Sequence, residues 1–154
     1  MKPISIEQVM GACADSFALE IRSRGITLDW QSEPALVAGD EDGLRQVLDN
    51  LLKNALLYNR GGWVKMEGEV REPYYKVTVV NIGQPIPAEQ AERLFERFYR
   101  LDSSRNRETG GSGLGLALVK EIIGQHQGQV GVESDGDRHS FWFTMPLTGS
   151  ADAK

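Results

Sequence analysis

The segment between Asp40 and the Gly61-Gly62 pair constrains the fold of this chain more than any other part of the sequence. Asp40 is a favourable N-cap residue and glycine commonly follows the end of a helix, so one long helix is predicted between them. Its apolar residues recur at helical spacing and define one inward face: Leu44, Val47, Leu48, Leu51, Ala55 and Tyr58. A helix with one apolar face must bury it against another layer of the protein.

The rest of the chain supplies that layer. Ser5 caps a first helix that Gly25 ends, and a last helix is predicted from about residue 113 to Gln125. Apolar residues bounded by turn residues predict strands over 26–30, 63–70, 74–81, 130–134 and 140–145. The second and third of these strands form one hairpin, and the last two form another. This order predicts one antiparallel or mixed sheet covered on one face by helices.

Length, charge and cysteine content exclude several classes of function. With 154 residues the chain fits a single domain, 1–154, that can bury a full core. The net charge of -5 and the lack of a basic tail argue against nucleic acid and against direct membrane contact. Cys13 is the only cysteine, which fits a reducing compartment. No apolar run is long enough for a signal core or a membrane span, so we predict a cytoplasmic domain.

Two asparagines on the long helix are candidate ligands. Asn50 and Asn54 are four residues apart and fall on neighbouring positions at the edge of its apolar face. An amide oxygen suits Mg²⁺, which takes few protein ligands and completes its shell with water and phosphate oxygens. Asn54 is therefore the candidate metal ligand. The alternative is that both amides only hydrogen-bond neighbouring backbone.

A glycine-rich run opens the last helix. Gly111, Gly113 and Gly115 allow the backbone to approach an anion closely, and the free N–H groups of a helix N-terminus favour phosphate. The run is not a P-loop, because no Gly-Lys-Ser or Gly-Lys-Thr follows. A flexible entry into the helix is the alternative.

A third candidate lies at a strand end. Asn81 precedes Gly83, Pro85 and Ile86, so its amide can present a donor and an acceptor to a base edge beside an apolar surface. Adenine is the predicted base, and an ordinary strand-end turn is the alternative.

Arginines are concentrated in the long segment 83–112. They are Arg93, Arg97, Arg100, Arg105 and Arg107. Guanidinium groups suit phosphate recognition, which predicts a cationic lid. A solvated charged surface is the alternative.

These motifs occur in one order along nearly the whole chain: Asn-x-x-x-Asn, Asn-x-Gly-x-x-Ile, residues 95–100 (Phe-Glu-Arg-Phe-Tyr-Arg), and Gly-x-Gly-Leu-Gly-Leu. The chain thereby resembles the catalytic ATP-binding domain of bacterial sensor histidine kinases, in the GHKL superfamily. The resemblance implies the Bergerat ATP-binding fold. That fold is an α/β (α+β) two-layer sandwich with a mixed, mainly antiparallel sheet packed on three helices and a mobile ATP lid, here about 83–112.

The resemblance also implies a role for each matching residue. Asn54 would bind Mg²⁺, and Asn50 would orient phosphate or a metal-bound water. Tyr58 would line the adenine pocket and Asn81 would meet the base. Further nucleotide contacts are implied for Gly83, Ile86, Ser112, Gly113, Leu114, Gly115 and Leu116. Arg97 and Arg100 would belong to the lid and contact the γ-phosphate.

Three positions depart from the family pattern. Asn81 stands where the family usually has Asp, which weakens the contact to the adenine amine. Pro85 replaces the second glycine of that turn and stiffens it. Leu57 replaces a residue that is often cationic, so phosphate contact depends more on the lid arginines. Low ATP affinity is therefore expected.

The resemblance implies an ATP- and Mg²⁺-dependent protein histidine kinase rather than an ATPase. Family ATPases have a Glu base where this chain has Asn50, and an amide cannot accept a proton at neutral pH, so slow hydrolysis is expected. His126 and His139 do not fit the phosphoacceptor motif, and His126 is predicted to bind the last carbonyls of its helix. No catalytic residue is therefore expected in this chain.

The acceptor histidine would lie on a separate dimerisation domain, and the phosphoryl group would pass to a response regulator. The dimerisation and sensor domains are predicted to lie outside this chain, in a parent protein that is a membrane sensor. One alternative is a protein serine kinase of the anti-sigma type. The other is a degenerate nucleotide-binding scaffold.

Overall fold

The computed structural model describes residues 2–91, 93–96 and 115–148. Its helices are α1 (Ile6–Ser16), α2 (Ala18–Ser23), α3 (Glu41–Leu57), α4 (Ala88–Ala91) and α5 (Gly115–Gln125). Its strands are β1 (Lys2–Ser5), β2 (Thr27–Ser32), β3 (Leu36–Gly39), β4 (Trp63–Arg71), β5 (Tyr74–Ile82), β6 (Val130–Asp135) and β7 (Arg138–Pro146).

The main sheet has five strands in the order β2-β4-β5-β7-β6. Strand β2 runs parallel to β4, and all other neighbours are antiparallel. Both predicted hairpins, β4-β5 and β6-β7, are present. The sheet is therefore mixed and mainly antiparallel, as predicted.

Helix α3 is the centre of the helical layer because α1 and α5 both pack against it. It buries seven apolar residues: Leu44, Val47, Leu48, Leu51, Leu52, Ala55 and Leu56. These join one core with sheet residues that include Val64, Met66, Val77, Val79, Phe141 and Phe143. Burying a side chain of this kind contributes roughly 1.5–3 kcal/mol relative to leaving it exposed. The result is the predicted two-layer sandwich.

Local hydrogen bonds explain where α1 and α3 begin. Ser5 Oγ accepts a hydrogen bond from the Gln8 N–H at 3.3 Å, and Asp40 Oδ2 accepts one from the Gly43 N–H at 2.9 Å. Both side chains satisfy an N–H group that has no partner inside the helix. The two predicted N-caps are confirmed.

The prediction of one helix from Ser5 to Gly25 is wrong. The chain leaves helical geometry at Phe17, with φ of -101° and ψ of 6°, and α2 begins at the next residue. The Ser16 hydroxyl donates to the Cys13 carbonyl at 2.8 Å, a side-chain bond that competes with regular helix. Phe17 then packs against the core from the break.

Two further differences concern long-range pairing and a helix end. Strands β1 and β3 form a separate antiparallel pair that the sequence did not predict. Tyr58, predicted on the inward face of α3, follows the last helical residue and is 37% exposed. Its ring is therefore available at the surface rather than in the core.

Within the described ranges, none of the helices combines the length and the apolar character that crossing a membrane requires.

Candidate functional site

Helix α3 connects the two places where predicted site residues meet. At one place a Cβ atom built on Gly115 would lie 3.5 Å from Asn50 Oδ1. At the other, a Cβ built on Gly83 would lie 2.7 Å from the Tyr58 carbonyl oxygen and 3.3 Å from Asn81 Nδ2. From position 50 to position 58 the helical rise amounts to about 12 Å, so these two places lie about 12 Å apart along α3.

The Gly83 end is tightly hydrogen-bonded. Asn81 is 3% exposed, and its Oδ1 accepts a hydrogen bond from Asn59 Nδ2 at 2.6 Å. Asn59 Nδ2 also donates to the Trp63 carbonyl at 2.7 Å, and Asn59 Oδ1 accepts from the Gly62 N–H at 2.7 Å. Because an amide oxygen has two lone pairs, Asn81 Oδ1 keeps one acceptor position for a ligand.

Asn59 is the residue that the sequence reasoning missed. An asparagine shortly before Gly61-Gly62 is typical of a turn, where Asn side chains often bond nearby backbone, so the bond to the Gly62 N–H three residues on could have been predicted. The bond to Asn81 joins residues 22 positions apart, and no local pattern indicates it.

Glycine is required at position 83 because of the close approach to the Tyr58 carbonyl. The Gly83 N–H donates to the Asp137 carbonyl at 2.8 Å, and the Arg60 N–H donates to the Ile82 carbonyl at 2.7 Å. The turn that follows Asn81 is therefore held from both sides.

The Asn50 and Asn54 amides on α3 differ, because the described part of the chain provides no such bonds for them. Asn50 and Asn54 are half-buried on α3. Among the residues that the structure describes, neither amide has a hydrogen-bond partner, so the predicted alternative of bonds to neighbouring backbone finds no support there. The same residues contain no group of three or more His, Cys, Asp and Glu side chains that could hold a metal. Two amide oxygens without a partner in the described residues fit an ion such as Mg²⁺, which needs few protein ligands.

The predicted lid is only partly described. Ile86 packs against the core, and Leu94 and Phe95 are buried. The rings of Phe95 and Phe141 meet edge to face, with centroids 6.3 Å apart and an interplanar angle of 65°. Arg93 pairs with Glu96 at 3.2 Å. Five predicted site residues lie outside the described residues: Arg97, Arg100, Ser112, Gly113 and Leu114.

At the start of α5, Leu116 packs against the core. At its end, His126 is 5% exposed and lies 2.8 Å from the Ile122 carbonyl through Nδ1. Its Nε2 accepts the Asp40 N–H at 3.0 Å. His126 thus ties the end of α5 to the N-cap of α3, and the predicted bond to a helix carbonyl is confirmed.

Burial changes the acidity of two groups outside the candidate site. It raises the pKa of the Cys13 thiol well above its ordinary value, and the neighbouring Asp49 carboxylate adds to this effect. It also raises the pKa of Tyr75, whose hydroxyl donates to the Glu33 carbonyl at 2.8 Å. Cys13 therefore stays a protonated, unreactive thiol at neutral pH.

The family comparison agrees with this geometry. The sequence model of the protein family described as "Histidine kinase-, DNA gyrase B-, and HSP90-like ATPase" matches residues 39–149, which include α3, β5 and α5. The chain belongs to this family, and the resemblance drawn from its motifs is confirmed.

Curated relatives name the branch of the family more narrowly. "Probable sensor kinase SilS" of Salmonella typhimurium is 42% identical over 122 residues, which are 79% of this chain and 24% of SilS. "Sensor histidine kinase CusS" of Escherichia coli K12 is 40% identical over 146 residues, 94% of this chain and 30% of CusS. The chain thus spans about a quarter to a third of the length of these relatives.

Solved structures give the same result for the fold. The mycobacterial sensor histidine kinase MprB has a TM-score of 0.82 at 25% identity and covers 95% of this chain and 97% of its own. Full-length ShkA in complex with AMPPNP has a TM-score of 0.82 at 27% identity, over 95% of this chain and 31% of ShkA. ThkA in complex with the response regulator protein TrrA has a TM-score of 0.80 at 26% identity, over 97% and 42%. The predicted Bergerat fold is therefore confirmed.

Proposed function

We propose that this chain binds ATP with Mg²⁺ and transfers the γ-phosphoryl group to a histidine on a separate dimerisation domain, in two-component signal transduction. The observation that carries the proposal is the arrangement along α3. Asn50 lies at the end that meets Gly115, and Tyr58 lies at the end that meets Gly83 and the buried Asn81. Asn54 lies one helical turn after Asn50, and neither amide has a hydrogen-bond partner among the described residues.

Adenine would bind at the Gly83 end. Asn81 Oδ1 would accept the adenine amine through its remaining lone pair. Gly83 would allow the ring to approach the backbone, and the half-exposed Tyr58 would line one side of the pocket with Ile86. AMPPNP, the ATP analogue in the ShkA complex, supports nucleotide as the ligand.

The phosphates would bind at the Gly115 end. The backbone of 112–116 and the N-terminal N–H groups of α5 would receive them, and Arg97 and Arg100 would contact the γ-phosphate from the lid. Asn54 would hold the metal through its amide oxygen, and Asn50 would orient phosphate or a metal-bound water. When bound, Mg²⁺ would neutralise negative charge on the phosphates.

In the transfer step, an imidazole nitrogen of the acceptor histidine forms a bond to the γ-phosphorus as the bond from that phosphorus to the bridging oxygen breaks. ADP leaves with the electron pair of that bond, and the imidazole releases its proton to solvent. This chain contributes positioning and charge stabilisation, so it needs no general base. Asn50 cannot activate water, so hydrolysis without an acceptor should be slow.

The same function implies partners beyond this chain. The acceptor histidine would belong to a dimerisation domain of the same or a parent kinase, and a response regulator would receive the phosphoryl group. The ThkA complex with TrrA supports a regulator as partner. We propose that the parent is a membrane sensor and that this chain is its cytoplasmic catalytic part.

A phosphotransfer assay tests the proposal. The chain is incubated with [γ-³²P]ATP, Mg²⁺ and a purified dimerisation domain of a sensor histidine kinase. We expect an acid-labile, alkali-stable phosphohistidine on that domain, and no label when its acceptor histidine is replaced by alanine. Absence of label with retained ATP binding would indicate the serine kinase alternative, whose acceptor would be a separate partner protein. Absence of both label and ATP binding would indicate a degenerate scaffold.

A further inference from the structure

The second buried histidine, His139 on β7, bonds outside its own hairpin. It is 3% exposed, its Nδ1 lies 2.8 Å from Ser134 Oγ, and its Nε2 lies 2.8 Å from the Gln84 carbonyl oxygen. A carbonyl oxygen can only accept, so Nε2 carries the hydrogen and donates it to Gln84. Nδ1 of the neutral ring then accepts from the Ser134 hydroxyl. Both ring nitrogens are satisfied in this one orientation.

The contact with Gln84 reaches the turn at the candidate adenine site. Gln84 lies beyond the end of β5 and directly follows Gly83, whose N–H donates to the Asp137 carbonyl at 2.8 Å. Two hydrogen bonds from the β6-β7 hairpin therefore hold adjacent residues of this turn. His139 also pairs with Asn81 across the β5-β7 ladder. The hairpin thus holds the turn through Gly83 and Gln84.

Sheet packing alone does not explain an imidazole at this position. The other buried residues of β7 are apolar: Phe141, Phe143 and Met145. Burying a polar ring costs free energy unless its nitrogens find partners, whereas an apolar side chain would fill the same place without that requirement. What the imidazole adds is the bond to Gln84, at the point where the lid segment begins.

We propose that His139 is a positioning residue for the nucleotide site. It holds the turn 81–84 so that Asn81 and Gly83 face the base, and it acts through the Gln84 carbonyl without touching the nucleotide. This inference rests on the proposed function, because it needs adenine to bind beside Asn81.

A positioning role and a purely structural role predict different binding data. Loss of positioning weakens every folded molecule's contact with the base, so Kd rises while the number of binding sites per chain stays the same. Loss of folded protein lowers the number of sites and leaves Kd unchanged.

The test is calorimetric titration with ADP, which contains the base but no γ-phosphate, together with a thermal melt of each variant. His139→Leu fills the space but cannot donate to Gln84, and we expect its Kd to rise about tenfold at unchanged stoichiometry. His139→Gln keeps an N–H donor and should stay within about threefold of wild type. Phe143→Leu is the matched control on β7, because it removes core volume without reaching the turn, so its Tm should fall and its Kd should not change.

A wild-type Kd for His139→Leu, or a loss of sites with unchanged Kd, would overturn the positioning role. If His139→Leu does not fold, His139→Thr replaces it with a strand-favouring residue too short to reach Gln84, and the same tenfold rise is expected. Failure of wild type itself to bind ADP would overturn the proposed function. Binding by wild type with an unchanged His139→Leu would overturn only this inference.

Discussion

The two ends of the candidate site differ in how the protein satisfies its own polar groups. At the Gly83 end, which we propose binds adenine (the adenine end), Asn59 bonds to Asn81, Trp63 and Gly62, and the turn after Asn81 is bonded to the β6-β7 hairpin. At the end that we propose binds the phosphates (the phosphate end), the Asn50 and Asn54 amides have no partner among the described residues. Side chains that are already fixed by hydrogen bonds lose little conformational entropy when a ligand binds. Amides without such bonds can instead find their partner in the ligand or its metal ion.

Because of this difference, we expect mutations at the two ends to change different measurable quantities. Substitutions at the adenine end should change stability and metal-independent affinity. Those at the phosphate end should change metal-dependent affinity while leaving stability unchanged.

The largest effect is expected at Asn54. In Asn54→Ala, Mg²⁺ should no longer increase ATP affinity, a loss on the order of 100-fold at saturating Mg²⁺. Stability should change by less than about 0.5 kcal/mol, because the amide bonds to no described residue. ATP titrations with and without Mg²⁺ measure the first quantity, and urea unfolding measures the second.

The exposed Lys53, on the same turn of α3, provides the control. Lys53→Ala should keep the Mg²⁺ dependence of wild type. If Asn54→Ala also keeps it, Asn54 is not the metal ligand.

At Asn59 we expect a loss of stability rather than a loss of Mg²⁺ dependence. Asn59→Ala removes two N–H donors and one acceptor, which together make three hydrogen bonds, so the free energy of unfolding should fall by about 2 kcal/mol. Urea unfolding at pH 7 gives this value. Asn50→Ala, which removes an amide without described partners, should leave it unchanged. Equal losses in the two variants would remove the distinction between the ends of the site.

A third prediction concerns neither end of the candidate site but the buried Cys13 on α1. Burial raises the pKa of Cys13 above its ordinary value of 9.0, so the thiol ionises first in the unfolded chain as pH rises. Stability from this group is therefore nearly constant well below pH 9 and falls as the pH rises through and above 9, by roughly 1–2 kcal/mol at pH 10. Unfolding at pH 8 and pH 10 should show this decrease, and Cys13→Ala should show a smaller one. An identical decrease in both proteins would assign it to other groups.

The smallest effect is expected from Asn81→Asp. The carboxylate would still accept from Asn59 Nδ2 and would give the adenine amine a charged acceptor, so ADP affinity should rise about fivefold. Titration with ADP in the absence of Mg²⁺ isolates this contact. Unchanged affinity would place the base away from the Asn81 oxygen.

The features that the sequence could predict are those that depend on local patterns. Helix α3, its N-cap and both hairpins depend on periodicity and on residues close in the chain, and all of these predictions are confirmed. Asn50 and Asn54 were found because four-residue spacing on a helix is also local. The site roles of both residues remain predictions.

Features that depend on distant contacts were missed. The pairing of β1 with β3 joins residues more than 30 positions apart, and the Asn59 to Asn81 bond and the His139 to Gln84 bond are likewise non-local. The break at Phe17 was missed for another reason. The apolar spacing continues through it, but the Ser16 hydroxyl and the packing of Phe17 outweigh that pattern.

The most direct test of the central proposal is a calorimetric titration of the chain with ATP and Mg²⁺, which records binding heat and any continuing heat of turnover. We expect saturable binding that Mg²⁺ strengthens, followed by no sustained heat, because in the proposed function Asn50 cannot act as a general base and the acceptor histidine belongs to a separate domain. Sustained heat would contradict this and indicate an ATPase, and the absence of binding would indicate a degenerate scaffold.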